Sequence, residues 1–345
     1  MADGAHSNRY SRQEAPSQAA KQKSVSRGPM FIVGMPRSGT KLLRGLLNQS
    51  PGVRVLEIET DFFPFLVRWV HDHGPVQTAA HFTELHAAMR GAPYFVHRKA
   101  NPAFSPEQWR QWCDRYDAAG LFEGFVRYET DTTREQDCWW GDKSPAYIRH
   151  LPMLLDNFPD ARVIHIVRDV RDYCASIRKA WNKDVRRAAH LWGRDVAAAH
   201  RQCQADPRRC LQLRYEDLLR SPAEQMRRVC DFLAIDFTEP MTRLNRPVEN
   251  YGDATGSTEI VQNNFGKFAE RLSPREIRDI ESLAFDTMRM LGLRPVYARR
   301  QRLMSAVELK LRRLKDGVRL LGRGKMRLGI AGALRFHLTH GRLAN

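Results

Sequence analysis

The stretch Pro29–Leu47, PMFIVGMPRSGTKLLRGLL, constrains the fold more than any other part of the chain. Met30 to Val33 has the length and composition of a short buried strand, and Gly34 ends it. An apolar-periodic helix then runs through Leu42, Leu43, Leu46 and Leu47. A strand that passes through a glycine-bounded turn straight into a helix gathers unpaired first-turn amides at one point. The helix dipole adds positive potential there. Arg37, Ser38, Thr40 and Lys41 bring side-chain donors to the same place, which makes this a seat for a phosphate or a phosphate-like anion.

Gly34 and Gly39 also stand at the spacing of a P-loop. A nucleotide kinase places Lys and then Ser or Thr after the second glycine, whereas this chain has Thr40 and then Lys41, with a cation inside the loop at Arg37. Taken alone, the stretch also reads as an ordinary strand-to-helix turn, so the rest of the chain decides.

Further along, the same pattern recurs. Val53–Glu57 and Cys138–Asp142 are candidate strands, Arg162–Val167 (RVIHIV) is the clearest strand, and Cys210–Arg214 is a fifth. Helices are expected from Asp169 or Arg171 to about Ala180, over Val185–Gln202, from Ser221-Pro222 through Leu233, and from Ser273-Pro274 to Leu291. Ser221 reads as an N-cap, with Pro222 at N1 and Glu224 at N3. Residues 60–137 carry helical but no strand patterning and read as a helical insertion, or lid, that shapes a pocket over the core. The histidines of this segment (His71, His73, His81, His86) lack acidic or thiol partners at metal-binding spacing, and His165 reads as a core histidine.

Strands alternating with helices imply α/β architecture: a P-loop-NTPase-like parallel sheet of about five strands flanked by helices, binding ligands at the carboxyl ends of its strands. Each polar group of interest follows a strand end: the Gly34–Thr40 loop, Glu59, Lys143, Arg168 and Tyr215. Five such groups on one edge point to one anionic ligand.

Composition narrows the partners. With 42% hydrophobic residues in 345, the chain can bury one large domain, over 29–298, and no apolar run is long enough to span a membrane. Residues 1–28 read as a polar, disordered lead. The six cysteines form no CxxC pair and read as reduced structural thiols in a cytoplasmic protein. The net charge is +17, but from Arg299 to Asn345 there are 13 Lys/Arg against two acids. The basicity therefore belongs to a tail, not to a nucleic-acid-binding core. In that tail Met304, Val307, Leu311, Leu314, Val318 and Leu321 recur at three-four spacing among basic residues, an amphipathic helix. It has three candidate roles: docking on the domain, self-pairing into a homodimer, or peripheral contact with an anionic membrane or acidic glycan, with 326–338 adding apolar contact.

On these residues the chain resembles the sulfotransferases that use 3′-phosphoadenosine-5′-phosphosulfate, nearest to their bacterial and tyrosylprotein-sulfotransferase-like branch. The ordered matches are Pro36-Arg37-Ser38-Gly39-Thr40, Glu59-Thr60-Asp61-Phe62-Phe63-Pro64, Lys143-Ser144-Pro145, Arg168 with Ser176, Arg214-Tyr215, and Ser257 with Gly266-Lys267-Phe268, spread over 29–293. The resemblance implies a sulfuryl donor as co-substrate and no metal. It implies that Ser38, Gly39, Thr40 and Lys41 grip the 5′-phosphosulfate, with Arg37 neutralising charge on the bridging oxygen and Lys143 as a second cation. Arg168 and Ser176 would hold the 3′-phosphate, Tyr215 the adenine side, Ser257 and Lys267 late phosphate contacts. Glu59 would be the general base, with Glu57 as its rival. Lys41 departs from the family, which has Thr or Ser there. A P-loop kinase of a small metabolite and a non-catalytic binder of acidic glycans or lipids are the competing readings. The acceptor, a sugar, phenol or lipid, is not legible.

Overall fold

The computed structural model describes residues 27–90, 92, 94–95, 104–246 and 256–324. Residues 1–26 of the expected lead, the segment 247–255 and the apolar segment 326–338 lie outside the described residues, whereas Arg27 and Gly28, expected in the lead, open the first strand.

Five strands, β1 (Arg27–Gly34), β2 (Val53–Val55), β3 (Trp139–Asp142), β4 (Arg162–Val167) and β5 (Cys210–Arg214), form one parallel sheet in the order β2-β3-β1-β4-β5. β1 sits at its centre, where Phe31 pairs with Asp142 on one side and Val163 on the other. Successive side chains point to opposite faces, so each strand feeds two cores. Met30, Ile32, Ile164 and Ile166 face helices α1 (Thr40–Leu47), α9 (Tyr215–Arg220) and α10 (Pro222–Leu233), numbered by their place in the chain. Phe31, Val33, Val163 and Val167 face the larger core built with the insertion and the remaining helices. His165 is fully buried in β4, where burial drives its pKa down to about 3 and keeps it a neutral core residue.

The insertion comprises α2 (Phe63–His73), α3 (Ala79–Met89), α4 (Pro106–Gln111) and α5 (Ala118–Thr130). Six of its aromatics are given over to packing. Phe62, Phe63, Phe82, Trp109, Phe122 and Phe125 are fully buried, and edge-to-face pairs such as Phe62–Phe125 at 5.0 Å and Phe63–Phe122 at 5.1 Å knit the insertion to itself. Phe31 of β1 and Phe122 of α5 lie 6.1 Å apart, which ties it to the sheet. Phe65, Trp69, Trp112, Tyr116 and Tyr128 of the same segment stay partly exposed.

Beyond β3 come α6 (Leu151–Asn157), α7 (Val170–Trp181) and α8 (Val185–Ala205), and after β5 and α10 come α11 (Phe268–Arg271), α12 (Pro274–Leu283), α13 (Phe285–Met290) and α14 (Ala306–Gly324). Ser273 starts α12 with a capping box, but the helix expected to reach Leu291 breaks at Ala284, whose ψ of 12° is not helical. Ser221 stands at the N-cap of α10, with Pro222 and Glu224 in its first turn as expected, but its side chain makes no cap hydrogen bond. The expectation of six reduced thiols is corrected as well. The turn at Asp206–Arg209 folds the end of α8 onto β5 and joins Cys203 to Cys210 in a disulfide, while Cys113, Cys138, Cys174 and Cys230 are free and buried. Among the described residues no helix is long and apolar enough to cross a membrane.

Candidate active site

Because β3, β1 and β4 are adjacent and parallel, the segments that follow them emerge side by side on one sheet edge. The loop after β1 is shaped by two glycines. A Cβ on Gly34 would lie 2.5 Å from the Ile166 carbonyl oxygen, and one on Gly39, at φ 96°, would lie 2.3 Å from the Tyr215 ring. Between them Arg37 holds φ 72°, a left-handed conformation that a residue with a Cβ adopts at some cost and that marks a constrained functional turn. Gly39 caps α1 without a side-chain acceptor, which leaves the first-turn amides facing the loop. Ser38 is fully buried, and its Oγ has no hydrogen-bond partner among the described residues. A buried hydroxyl in that state is costly unless a ligand oxygen completes it. Thr40 is buried beside it, whereas Lys41 points to solvent from α1.

Two cations meet over this loop. Arg37 Nε donates to Ser176 Oγ at 3.4 Å, so the β1 loop touches α7. Arg168, at the tip of β4, donates Nη1 to the Arg37 carbonyl at 3.1 Å and Nη2 to the Asn264 carbonyl at 3.0 Å, while its Nε is buried without a partner. Its guanidinium stacks 4.6 Å from the centre of the Tyr215 ring, and the Tyr215 hydroxyl accepts from Asn264 Nδ2 at 3.1 Å. Burial and the nearby Arg168 charge lower the Arg37 pKa, the signature of two cations held close in a partly dry place. Asp172, one turn along α7, accepts from the Gly266 amide at 2.5 Å and pulls the late loop onto this cluster.

A second cluster lies on the β2–β3 side. Lys143 is fully buried and donates to Glu59 Oε1 at 2.5 Å, while Glu59 keeps 37% of its side chain exposed. Burial lowers the Lys143 pKa, and the Glu59 charge opposes that shift. Beneath them a chain of hydrogen bonds runs from the Phe63 amide to the Tyr147 hydroxyl at 3.0 Å. It passes from there to Thr60 Oγ1 at 2.6 Å and from Thr60 to Asp142 Oδ2 at 2.9 Å. Asp61, at φ 54°, donates its amide to Ser144 Oγ at 3.2 Å. Burial, with Glu59 and Asp142 adding repulsion, pushes the Asp61 carboxyl up to about 7, and burial pushes Asp142 up to about 6 against the hydrogen bonds from Ser144 and Thr60 that lower it.

The sequence-derived residues are thus sorted. Arg37, Ser38, Gly39, Thr40, Arg168, Ser176 and Tyr215 form one cluster, and Glu59 with Lys143 forms the other. Glu57 pairs instead with Arg246 at 2.9 Å on an exposed surface. Ser257 closes a local turn with Glu259, and Lys267 precedes α11. Asn264, Asp172, Asp61, Thr60, Asp142 and Tyr147 were missed. Asp172 stands four residues after Arg168, in the first turn of the helix that follows it, and so carried a signal; Asn264 lies in an irregular loop and carried none. Among the described residues no group of three His, Cys, Asp or Glu is placed to hold a metal ion.

The profile of the Sulfotransferase family matches residues 29–239. The chain is 26% identical over 220 residues to protein-tyrosine sulfotransferase 1 of Danio rerio, covering 61% of this chain and 54% of that protein. This chain therefore spans about half the length of that relative. It is 24% identical over 307 residues to the omega-hydroxy-beta-dihydromenaquinone-9 sulfotransferase of Mycobacterium tuberculosis, covering 70% of this chain and 74% of the other. In fold it is similar to the sulfotransferase domain of the Synechococcus olefin synthase, with a TM-score of 0.50, 24% identity and coverage of 77% and 97% respectively. With the family profile covering the sheet, the β1 loop and the tips of all five strands, the chain belongs to the sulfotransferase family.

Proposed function

We propose that the protein transfers a sulfuryl group from 3′-phosphoadenosine-5′-phosphosulfate to a hydroxyl or amine acceptor. The observation that carries this reading is the meeting of Arg37, Ser176 and Arg168 over a loop whose buried Ser38 hydroxyl lacks a partner. An adenosine with phosphates at both ends of its ribose needs two cationic seats a short way apart, and this edge provides them. The loop amides, Ser38 and Thr40 are suited to the 5′-phosphosulfate. Arg168 and Ser176 are suited to the 3′-phosphate, with the planar guanidinium matching phosphate oxygens, and Arg37 to the charge on the bridging oxygen of the 5′-phosphosulfate. Tyr215, already stacked on Arg168, offers a face to the base.

The donor supplies a sulfuryl group already activated by its anhydride bond to phosphate. The residues of this chain then have three tasks. The β1 loop fixes the anion in line with the acceptor and meets charge as it grows. Glu59, exposed on one side and held by Lys143 on the other, takes the proton that leaves the acceptor hydroxyl. Lys143, buried and fixed, orients that carboxylate and keeps positive charge beside the reacting centre. The acceptor itself is proposed to be a carbohydrate, lipid or phenol.

Titration calorimetry with adenosine 3′,5′-bisphosphate and with ATP, each with and without Mg²⁺, tests the reading. Binding of the bisphosphate that is tighter than ATP and unchanged by Mg²⁺ is expected. A preference for Mg-ATP would replace this reading with that of a P-loop kinase.

A further inference from the structure

Helix α14 is held to the domain by one side and presents an apolar stripe on the other. Arg312 pairs with Asp184 at 2.9 Å, Arg187 with Asp316 at 3.2 Å, and the Asp184 amide donates to Asp316 at 2.8 Å. Met304 is buried just ahead of the helix, and Leu309 packs against the core. At about 100° of rotation per residue, Leu309, Arg312 and Asp316 share one side, and Val307, Leu311, Leu314 and Val318 line up opposite it. Those four are 69%, 62%, 60% and 70% exposed. The arrangement reverses the usual one, in which an amphipathic helix buries its apolar face and solvates its polar face. Here ion pairs anchor the helix and the aliphatic face is left outward.

The chemistry at the edges of the stripe identifies what covers it. Lys310 and Lys315 flank it on either side, with Arg313 beyond, and all three are exposed. Aliphatic side chains between lysines whose long stems can reach upward are suited to the headgroup–acyl boundary of an anionic bilayer. A second copy of the chain fits less well. The 4-3-4 spacing of the stripe would allow a coiled coil, but a parallel pair would set Lys310 against Lys315 of the partner. Glu308, the nearest acid, is already engaged by Arg302 and Arg312. We infer that α14 is a membrane-docking helix that holds the domain against an anionic lipid surface through Val307, Leu311, Leu314 and Val318. Its anchor to Asp184, which caps α8, fixes the domain relative to that surface without any unfolding.

The full chain is sedimented with vesicles of phosphatidylcholine alone and of phosphatidylcholine mixed with phosphatidylglycerol. Pelleting with the mixed vesicles, and little with the neutral ones, is expected. Replacing Val307, Leu311, Leu314 and Val318 together by Ser should abolish it. Replacing Lys310, Arg313 and Lys315 by Gln should weaken it roughly 100-fold, from the attraction of three basic residues to an anionic surface. Residues 325–345 stay in every variant, and an unchanged melting temperature shows that each variant folds. Three results each overturn the inference. The wild type fails to pellet with the mixed vesicles, the serine variant pellets as well as wild type, or the wild type is a dimer that the serine variant makes monomeric without any vesicle binding.

Discussion

At the scale of single residues, the Glu59–Lys143 pair decides the most. Glu59→Gln keeps the size and the contact to Lys143 but cannot take a proton. It should bind adenosine 3′,5′-bisphosphate like wild type while turnover falls by about 10²–10⁴. Normal turnover in that variant would move the base elsewhere, with Glu57 disfavoured by its exposed pairing with Arg246. Arg168→Ala should show the opposite split, weakening bisphosphate binding while leaving Glu59 in place. Asp61 carries a pH dependence. Its carboxyl ordinarily titrates near 3.8 and is pushed up to about 7 in the folded protein. The folded state therefore holds that proton more tightly than the unfolded chain does. Its contribution to stability is full below the ordinary value and is lost as the pH rises through about 7. Asp61→Asn, which tolerates the left-handed backbone as well as Asp does, removes this titration. Denaturant melts at pH 5 and pH 8 should show the variant gaining on wild type at the higher pH. Parallel losses in both would mean that Asp61 is ionised throughout.

At the scale of elements, close approaches hold the site together. Tyr215 of α9 presses on Gly39, and Asp172 of α7 draws in the late loop through Gly266. Gly39→Ala would drive a methyl into the Tyr215 ring and also strain φ, so loss of bisphosphate binding together with a lower melting temperature is expected. The buried Glu281 of α12 works further from the site. It accepts from Arg171 at 3.0 Å and from the amides of Val296, Tyr297 and Ala298 at 2.7–3.0 Å. Removing it leaves three amides short of an acceptor and Arg171 with Asp169 as its remaining carboxylate partner. Glu281→Ala should therefore cost about 3–5 kcal/mol in urea denaturation. A loss below about 1 kcal/mol would show that water replaces the carboxylate.

At the scale of the whole molecule, the sheet order puts the two clusters on one edge, with β1 between them. A ligand that bridges both should stabilise the fold as a unit. At 100 times its dissociation constant the bisphosphate should add about 2.7 kcal/mol, read as a rise in melting temperature that Arg168→Ala reduces. The insertion is not a loose lid among the described residues. Its phenylalanines pack onto Phe31 and Phe158, so it should melt with the sheet rather than before it.

Five strands, their parallel sense and the residues at their tips were legible because each rests on local pattern: apolar runs, glycines at required turns, and cations directly after a strand. The amphipathic tail helix was legible for the same reason. Tertiary structure decided what period and propensity do not encode. It showed that rings of the insertion serve the core, that Asn264 and Asp172 reach the site from a distant loop and a helix turn, and that Cys203 meets Cys210. It also decided that α14 turns its charged side inward. Local sequence records which faces a helix has, but the facing surface determines which one is buried, and here Asp184 and Arg187 offered charge rather than a greasy groove.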